Sequence, residues 1–395
     1  MENEATAIEG MELLTEDVLM EILSRLSVKS LLRCKSVSKN WYSLIRNPSF
    51  ISLHHTRAQP HDCISLVRTD NNYTHHWFYY LFPGQTSIQH LDLSFTERPV
   101  DLSSFRIRGS CNGLMCLSEW FKANIMICNP ATREFRLLPR PPYHNWRTNH
   151  VGFAFDSKTN DYIVVRVATL YEFSKAVDMD FEPPTRFDQK VMDLETPTRI
   201  DHKIQIYGMS RDSWKEIAAT VPNHRFSPYD HPSTLMDGVF YWLCYDFSIE
   251  VCAIDVLNTV EGSFKQRALP VSIGSASRPN ICLLNDSLVL VVPMYDNQLE
   301  ETQFDVWLMK EYRVQECWTK KYTIGPILGN QRPFGFRPNS EVLLTGCKNG
   351  QMVSYNLSTG DIKEYKQLCD LQGLQYIAQV FPYSENLVSV KRRSS

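Results

Sequence analysis

Apolar positions recur along the chain with two different periods. From residue 13 to 54 they follow helical spacing: Val18, Leu19, Ile22, Leu23 and Leu26 fall on one face, and Val28, Leu31 and Leu32 form a second short stripe. Val37, Trp41, Leu44 and Ile45 make a third, at i, i+4, i+7 and i+8. Thr15 and Ser27 stand where they can cap the first two helices, with Glu16 and Asp17 in the positive first turn. Asn47-Pro48 ends the third, because the residue before proline is pushed out of the α region. The pattern predicts three short helices. From about Cys63 the helical period is lost, and short runs rich in Val, Ile, Phe, Tyr and Trp alternate with turn signals.

Those turn signals repeat. Asn112-Gly113, Asp237-Gly238 and Asn349-Gly350, with Asp286-Ser287 as a weaker relative, each sit between apolar runs and predict hairpins. A polar turn leading into an aromatic and then a strand follows each, marked by Phe135, Trp214, Phe264, Trp318 and Tyr365. Their separations are 79, 50, 54 and 47 residues, and the first falls to 46 once a 33-residue segment, Tyr171 to Lys203, is set aside. A unit of this length is close to that of kelch-type propeller blades. The expected fold is therefore α plus all-β: three helices followed by a β-propeller of six to eight blades. One or two β-sandwiches are the competing architecture, and would space the unit more tightly and less regularly.

Composition narrows the function. The 395 residues carry a net charge of −3, whereas a nucleic-acid-binding surface is strongly basic. No stretch approaches the roughly 18 apolar residues of a membrane span, and Met1–Gly10 lacks the basic and apolar regions of a signal peptide. A cytosolic or nuclear protein is expected. The eleven cysteines include no C-x-x-C pair and read as small core residues.

Helices of this length bury little surface alone, and domains so small usually need a metal, a disulfide or a partner. No ligand cluster is present, and the leucines exceed what an internal seam requires, so the surplus predicts an exposed apolar patch. Glu21-Ile22-Leu23, Arg25-Leu26, Val28-Lys29-Ser30-Leu31, Arg33, Val37-Ser38-Lys39 and Trp41 resemble the plant F-box pattern. Thr15 and Ser27 depart from it, standing where the family usually has proline. The resemblance implies docking into a Skp-type adaptor that binds a cullin. The candidate contacts are Leu14, Val18, Ile22, Leu23, Leu26, Val28, Leu31, Leu32, Val37, Trp41, Leu44 and Ile45.

The longer region resembles the F-box-associated domain in the phrases GSCNGLMCL, ICNPATREFRLLP, GFAFDSKTNDYIVVRV and YGMSRDSWKEI. VWLMKEYRVQECWTKKYTIGP and VSYNLSTGDIKEY are similar to its S-locus branch, whose members act in pollen self-incompatibility. The resemblance implies a substrate receptor of an SCF-type ubiquitin ligase, with an S-RNase as the specific target. A defence or hormone regulator is the alternative target, and a propeller enzyme or sugar-binding module a remote one. The domains read as a flexible N-terminus (1–12), an F-box (13–54), a connector with the first propeller strands (55–108), the F-box-associated propeller (109–390) and a basic tail (391–395).

Catalytic patterns are missing from the sequence. There is no G-x-S-x-G, Walker loop or dinucleotide fingerprint. The adjacent pairs His54-His55 and His75-His76 lack ligand spacing and read as surface or adaptor-proximal histidines. No catalytic residue, metal or cofactor is expected. The insertion 171–203 holds eight acidic and five basic residues, so its net −3 equals that of the whole chain. Its Glu172, Asp178, Asp180 and Glu182, with the loop aromatics Tyr143, Trp146, Phe226 and Tyr229, are the candidate target contacts.

Overall fold

Four short helices, not three, open the computed structural model: α1 (Glu16–Leu23), α2 (Val28–Cys34), α3 (Lys39–Arg46) and α4 (Pro48–Arg57). The structure describes residues 15–57, 62–71, 74–83, 89–90 and, with interruptions in the loops, 105–391; the longest interruption is 173–198. Residues 1–12 and most of the basic tail thus lie outside the described residues. Asn47-Pro48 does end α3, but it also starts α4. Proline suits the first turn of a helix, where its missing N–H is not needed, and Asn47 Oδ1 accepts the Ser49 amide at 2.9 Å. Ser27 caps α2 by accepting from the Ser30 amide at 3.3 Å. Ser38 does the same for α3 at the Trp41 amide. Thr15 holds the extended cap conformation, yet its side chain makes no capping bond. Helix α4 supplies the buried Phe50 and His54, and His54 Nε2 donates to the Leu26 carbonyl at 2.9 Å. His54 is therefore a core residue rather than a surface one.

The strands follow. β1 (Asp62–Asn71), β2 (Thr74–Pro83) and β3 (Gln89–His90) begin the first sheet. β4 (Phe105–Cys111), β5 (Leu114–Glu119), β6 (Ile125–Asn129) and β7 (Glu134–Leu137) form the second, which starts ahead of the boundary drawn at residue 109. β8 (Asn149–Asp156), β9 (Asp161–Glu172), β10 (Arg199–Gly208) and β11 (Ser213–Ile217) form the third. The fourth holds β12 (Arg225–Phe226), β13 (Thr234–Met236), β14 (Val239–Tyr245), β15 (Cys252–Asn258) and β16 (Ser263–Arg267). β17 (Asn280–Leu284), β18 (Ser287–Asp296), β19 (Glu301–Met309) and β20 (Trp318–Leu328) form the fifth. β21 (Arg332–Phe336), β22 (Glu341–Thr345), β23 (Met352–Asn356) and β24 (Ile362–Tyr365) form the sixth. The last strand, β25 (Tyr376–Tyr383), returns to pair with β1, giving the first sheet the order β25-β1-β2-β3.

Among the described residues there are thus six antiparallel sheets, and they stand in a ring. β4 packs beside β8, β8 beside β13, β13 beside β17, β17 beside β21, β21 beside β25, and β25 beside β4. The arrangement is a β-propeller, with those strands innermost. Adjacent sheets share apolar cores. Leu114, Cys116 and Ile127 of the second meet Val151, Phe153 and Val164 of the third, and Val289, Val291 and Phe304 of the fifth meet Val342 and Leu344 of the sixth. The marker aromatics Phe135, Trp214, Phe264, Trp318 and Tyr365 all lie on the fourth, outermost strand of their sheets. The described ends of the 171–203 insertion belong to β9 and β10, where Glu172 pairs with Arg199 and Leu170 with Asp201, and 173–198 lie outside the described residues.

Two of the signalled turns are two-residue hairpins of the expected kind. Asn112 and Gly113 have φ of 47° and 72° between the paired Cys111 and Leu114. Gly238 has φ of 74° between Met236 and Val239. The weaker signal lies one residue upstream of its expected place, at Asn285-Asp286, and Asn349-Gly350 falls outside the described residues.

Gly113 is also a contact. A Cβ there would lie 2.2 Å from the Ser384 carbonyl oxygen, whereas nothing comes within 4 Å of one on Gly238. Gly238→Ala should cost about 1 kcal/mol, the strain of a left-handed residue. Gly113→Ala should cost roughly 2 kcal/mol or more, because backbone must also move. Urea denaturation of the two variants measures the difference.

Candidate interaction faces

Because strands within each sheet alternate in direction, the connections fall on two opposite faces of the ring. One face carries the β4–β5 turn, the β6–β7 turn and the residues after β25. The other carries the start of the β7–β8 connection and the paired ends of β9 and β10.

The helical module sits on the first face. Its core is Leu19, Leu23, Val28, Leu31, Leu44, Ile45 and Phe50, and an eighth member, Leu387, comes from the far end of the chain. Leu387 is 3% exposed, and burying a leucine contributes roughly 2 kcal/mol. Ala131, from the β6–β7 turn, packs against the same cluster. The chain around Leu387 is held from below. Asn129 Nδ2 donates to Asn386 Oδ1 and to the Val388 carbonyl, each at 2.8 Å, and Asn129 Oδ1 accepts the Ala131 amide at 3.0 Å. Glu134 Oε2 accepts the Ser389 hydroxyl at 2.7 Å and the Val390 amide at 3.1 Å. Burial pulls the Lys35 ammonium below its usual range, and the same Glu134 opposes that shift. Segment 384–390 is thus a layer between helices and propeller, which no local pattern in the sequence announced.

Of the twelve apolar residues expected to meet an adaptor, Leu23, Val28, Leu31, Leu44 and Ile45 are buried in the module's own core. Leu26, Leu32 and Trp41 are half-buried against it. Val18, Ile22 and Val37 are 45%, 41% and 50% exposed. Val18 and Ile22 share one face of α1 at i, i+4 spacing. Tyr42, at 44%, is an exposed aromatic the sequence reading passed over. Leu14 lies outside the described residues.

The opposite face carries the candidate target contacts. Leu138 donates its amide to the Ile125 carbonyl at 2.9 Å, and Trp214 Nε1 donates to the Pro139 carbonyl at 2.7 Å, so the β7–β8 connection is fastened at its start. Further along, Arg166 Nη1 donates to the Pro142 carbonyl at 2.9 Å and Nη2 to that of Tyr143 at 3.1 Å. Tyr143 itself is exposed, and the Lys203 ammonium stands 5.7 Å from its ring centre. Glu172 ends β9 and Phe226 ends β12, both at this face, while Trp146, Asp178, Asp180, Glu182 and Tyr229 lie outside the described residues.

Burial raises the thiol pKa of Cys116 and Cys128 well above the ordinary range, the reverse of what activates a nucleophile. Among the described residues, no three His, Cys, Asp or Glu side chains are grouped to hold a metal ion.

The family model of the F-box domain matches residues 11–53, and that of the F-box associated beta propeller domain matches residues 84–369. F-box protein At5g49610 of Arabidopsis thaliana is 28% identical over 331 residues, covering 78% of this chain and 77% of its own. The putative F-box/kelch-repeat protein At1g13200 of the same plant is 28% identical over 390 residues, covering 88% and 85%. F-box protein CPR1, also from Arabidopsis thaliana, is 23% identical over 384 residues, covering 87% and 82%.

Docking through Leu387 makes a prediction. Leu387→Asp places a charge in an apolar core. Hydrogen exchange should show α1–α4 losing protection while the third to sixth sheets keep theirs. Equal loss throughout would show that the tail supports the ring alone.

Proposed function

The chain belongs to the F-box proteins that carry an F-box-associated β-propeller, and on that premise we propose that it is the substrate-recognition subunit of an SCF-type ubiquitin ligase. The observation that carries this reading is the placement of Val18, Ile22 and Val37. The helical module has filled its core, with help from Leu387, and still leaves these three side chains in water. Val18 and Ile22 adjoin on one face of α1, and exposed apolar side chains so placed suit a contact with a partner, here a Skp-type adaptor bound to a cullin. The adaptor would take up the helices on one face of the propeller, and the target would meet the other.

The receptor would contribute no chemistry of its own. It would hold a target lysine near a thioester-linked ubiquitin carried by another subunit, raising its effective concentration. Such work belongs in the cytosol or nucleus.

The finer reading is that the target is a basic protein, an S-RNase as the S-locus phrases imply. What favours it is the acid excess of residues 171–203, net −3; its described ends, Glu172 of β9 and Arg199 of β10, stand on the face away from the helices. Opposite charge speeds encounter and disfavours wrong partners. A defence or hormone regulator is the alternative target, on the family resemblance alone.

Two pairs of variants test adaptor docking by isothermal titration. Val18→Asp and Ile22→Asp should each weaken adaptor binding about tenfold or more and leave the melting temperature within a few degrees. Leu31→Asp and Ile45→Asp, in the core, should lower both. Full adaptor affinity in the Val18 and Ile22 variants would remove the basis of the proposal.

A further inference from the structure

Between Glu21 and Asp62 the chain has no acidic residue and seven lysines and arginines. All 44 acidic residues fall outside this stretch, which takes seven of the 41 basic ones, so the rest of the chain is distinctly acidic. Arg25 and Arg57 both pair with Glu21, at 2.6 Å. Among the described residues no carboxylate pairs with Lys29, Arg33, Lys39 or Arg46, and all four are exposed. Lys29 and Arg33 share a face of α2 at i, i+4, and Lys39 and Arg46 a face of α3 at i, i+7. Like charges at i, i+4 destabilise a helix, so folding alone does not favour this arrangement. The two helices also bring their charges together. Burial first, and then the like charge of Arg46, pull the Lys35 ammonium down. The half-exposed Val37 stands in the turn between Arg33 and Lys39, and Arg46 donates to the hydroxyl of the exposed Tyr42. The basic face is thus continuous with apolar side chains left in water.

We propose that this face of α2 and α3 receives an acidic strip on the Skp-type adaptor, which steers the encounter before the apolar contacts at Val18 and Ile22 close. This rests on the reading that the helices dock to such an adaptor, and it adds the charge that the adaptor must carry there. Complementary charge raises the rate of encounter and fixes its orientation, while apolar contacts set how long a complex lasts. The rest of the chain selects the class of partner. Its acid excess repels an extended polyanion or an anionic membrane, whereas a protein that reaches only the helices meets unmatched positive charge.

The test measures association and dissociation rates of the full chain with a purified Skp-type adaptor, by stopped flow, at ionic strengths from about 0.05 to about 0.5 M. Association of the unaltered chain should slow about tenfold or more across that range. The triple variant Lys29→Glu, Arg33→Glu, Lys39→Glu should associate about tenfold more slowly at low salt, lose most of the salt dependence, and melt within a few degrees of the unaltered chain. Ile22→Ala should instead speed dissociation and keep the salt dependence. Lys215→Glu, exposed on β11 of the propeller, should change neither rate. Salt-independent association of the unaltered chain overturns the inference whatever the variants do, and so does undiminished association of the triple variant; in either case adaptor docking through Val18 and Ile22 still stands. Binding of the unaltered chain to phosphatidylserine vesicles that the triple variant loses, with adaptor rates unchanged, assigns the face to a membrane and also overturns it. If the unaltered chain does not bind the adaptor at all, the adaptor reading fails and this inference fails with it.

Discussion

The antiparallel pairing of β25 with β1 is the constraint on which the other features depend. Asp62 lies opposite Tyr383 and Ile64 opposite Phe381, so residues more than three hundred positions apart are fixed side by side. The pairing makes β25 the innermost strand of the first sheet and seats it between β21 of the sixth and β4 of the second, which closes the ring. It also sets where the chain goes next. Leaving β25 at Tyr383, it passes the Asn112-Gly113 turn, which only a residue without Cβ lets it approach, and delivers Leu387 to the helices. Closure entropy grows only slowly with loop length, so a strand of pairing and a few buried side chains suffice. Contacts so distant in sequence should form late in folding, and the helical module waits on them for its eighth core residue.

One consequence concerns geometry. A receptor that delivers a substrate lysine to a distant thioester benefits from a rigid body, because a floppy joint dilutes the effective concentration it creates. Asn129, Glu134 and Leu387 between them tie helices, tail and propeller together through hydrogen bonds and apolar contact. The direction of the far face relative to the helices is thereby fixed within the fold, and the fastened β7–β8 connection extends that rigidity to the turn at Tyr143.

Much of this was legible in the sequence, for physical reasons that can be named. Helical spacing located α1 to α3, and the aromatic markers located the outermost strand of five sheets, because both depend on neighbours a few residues away. The helix α4 was missed because proline serves equally as a stop and as a first helical residue, and Asn47 settles which. The number of sheets was not readable, since the first sheet carries no marker and draws its innermost strand from the other end of the chain. Apolar spacing could not divide Val18 and Ile22 from Leu23 and Leu31, because whether a leucine faces a partner or a core depends on packing that includes Leu387. Arg166 reads as an ordinary strand polar; its hold on the Pro142 and Tyr143 carbonyls depends on contact between β9 and the β7–β8 connection, which no local pattern announces.

Hydrogen–deuterium exchange of the full chain with and without a purified Skp-type adaptor tests the two-faced arrangement most directly. The account predicts added protection confined to α1–α3, with exchange unchanged at residues 142–144 and 199–203 on the far face. Added protection at those far-face residues, or none on the helices, would contradict it.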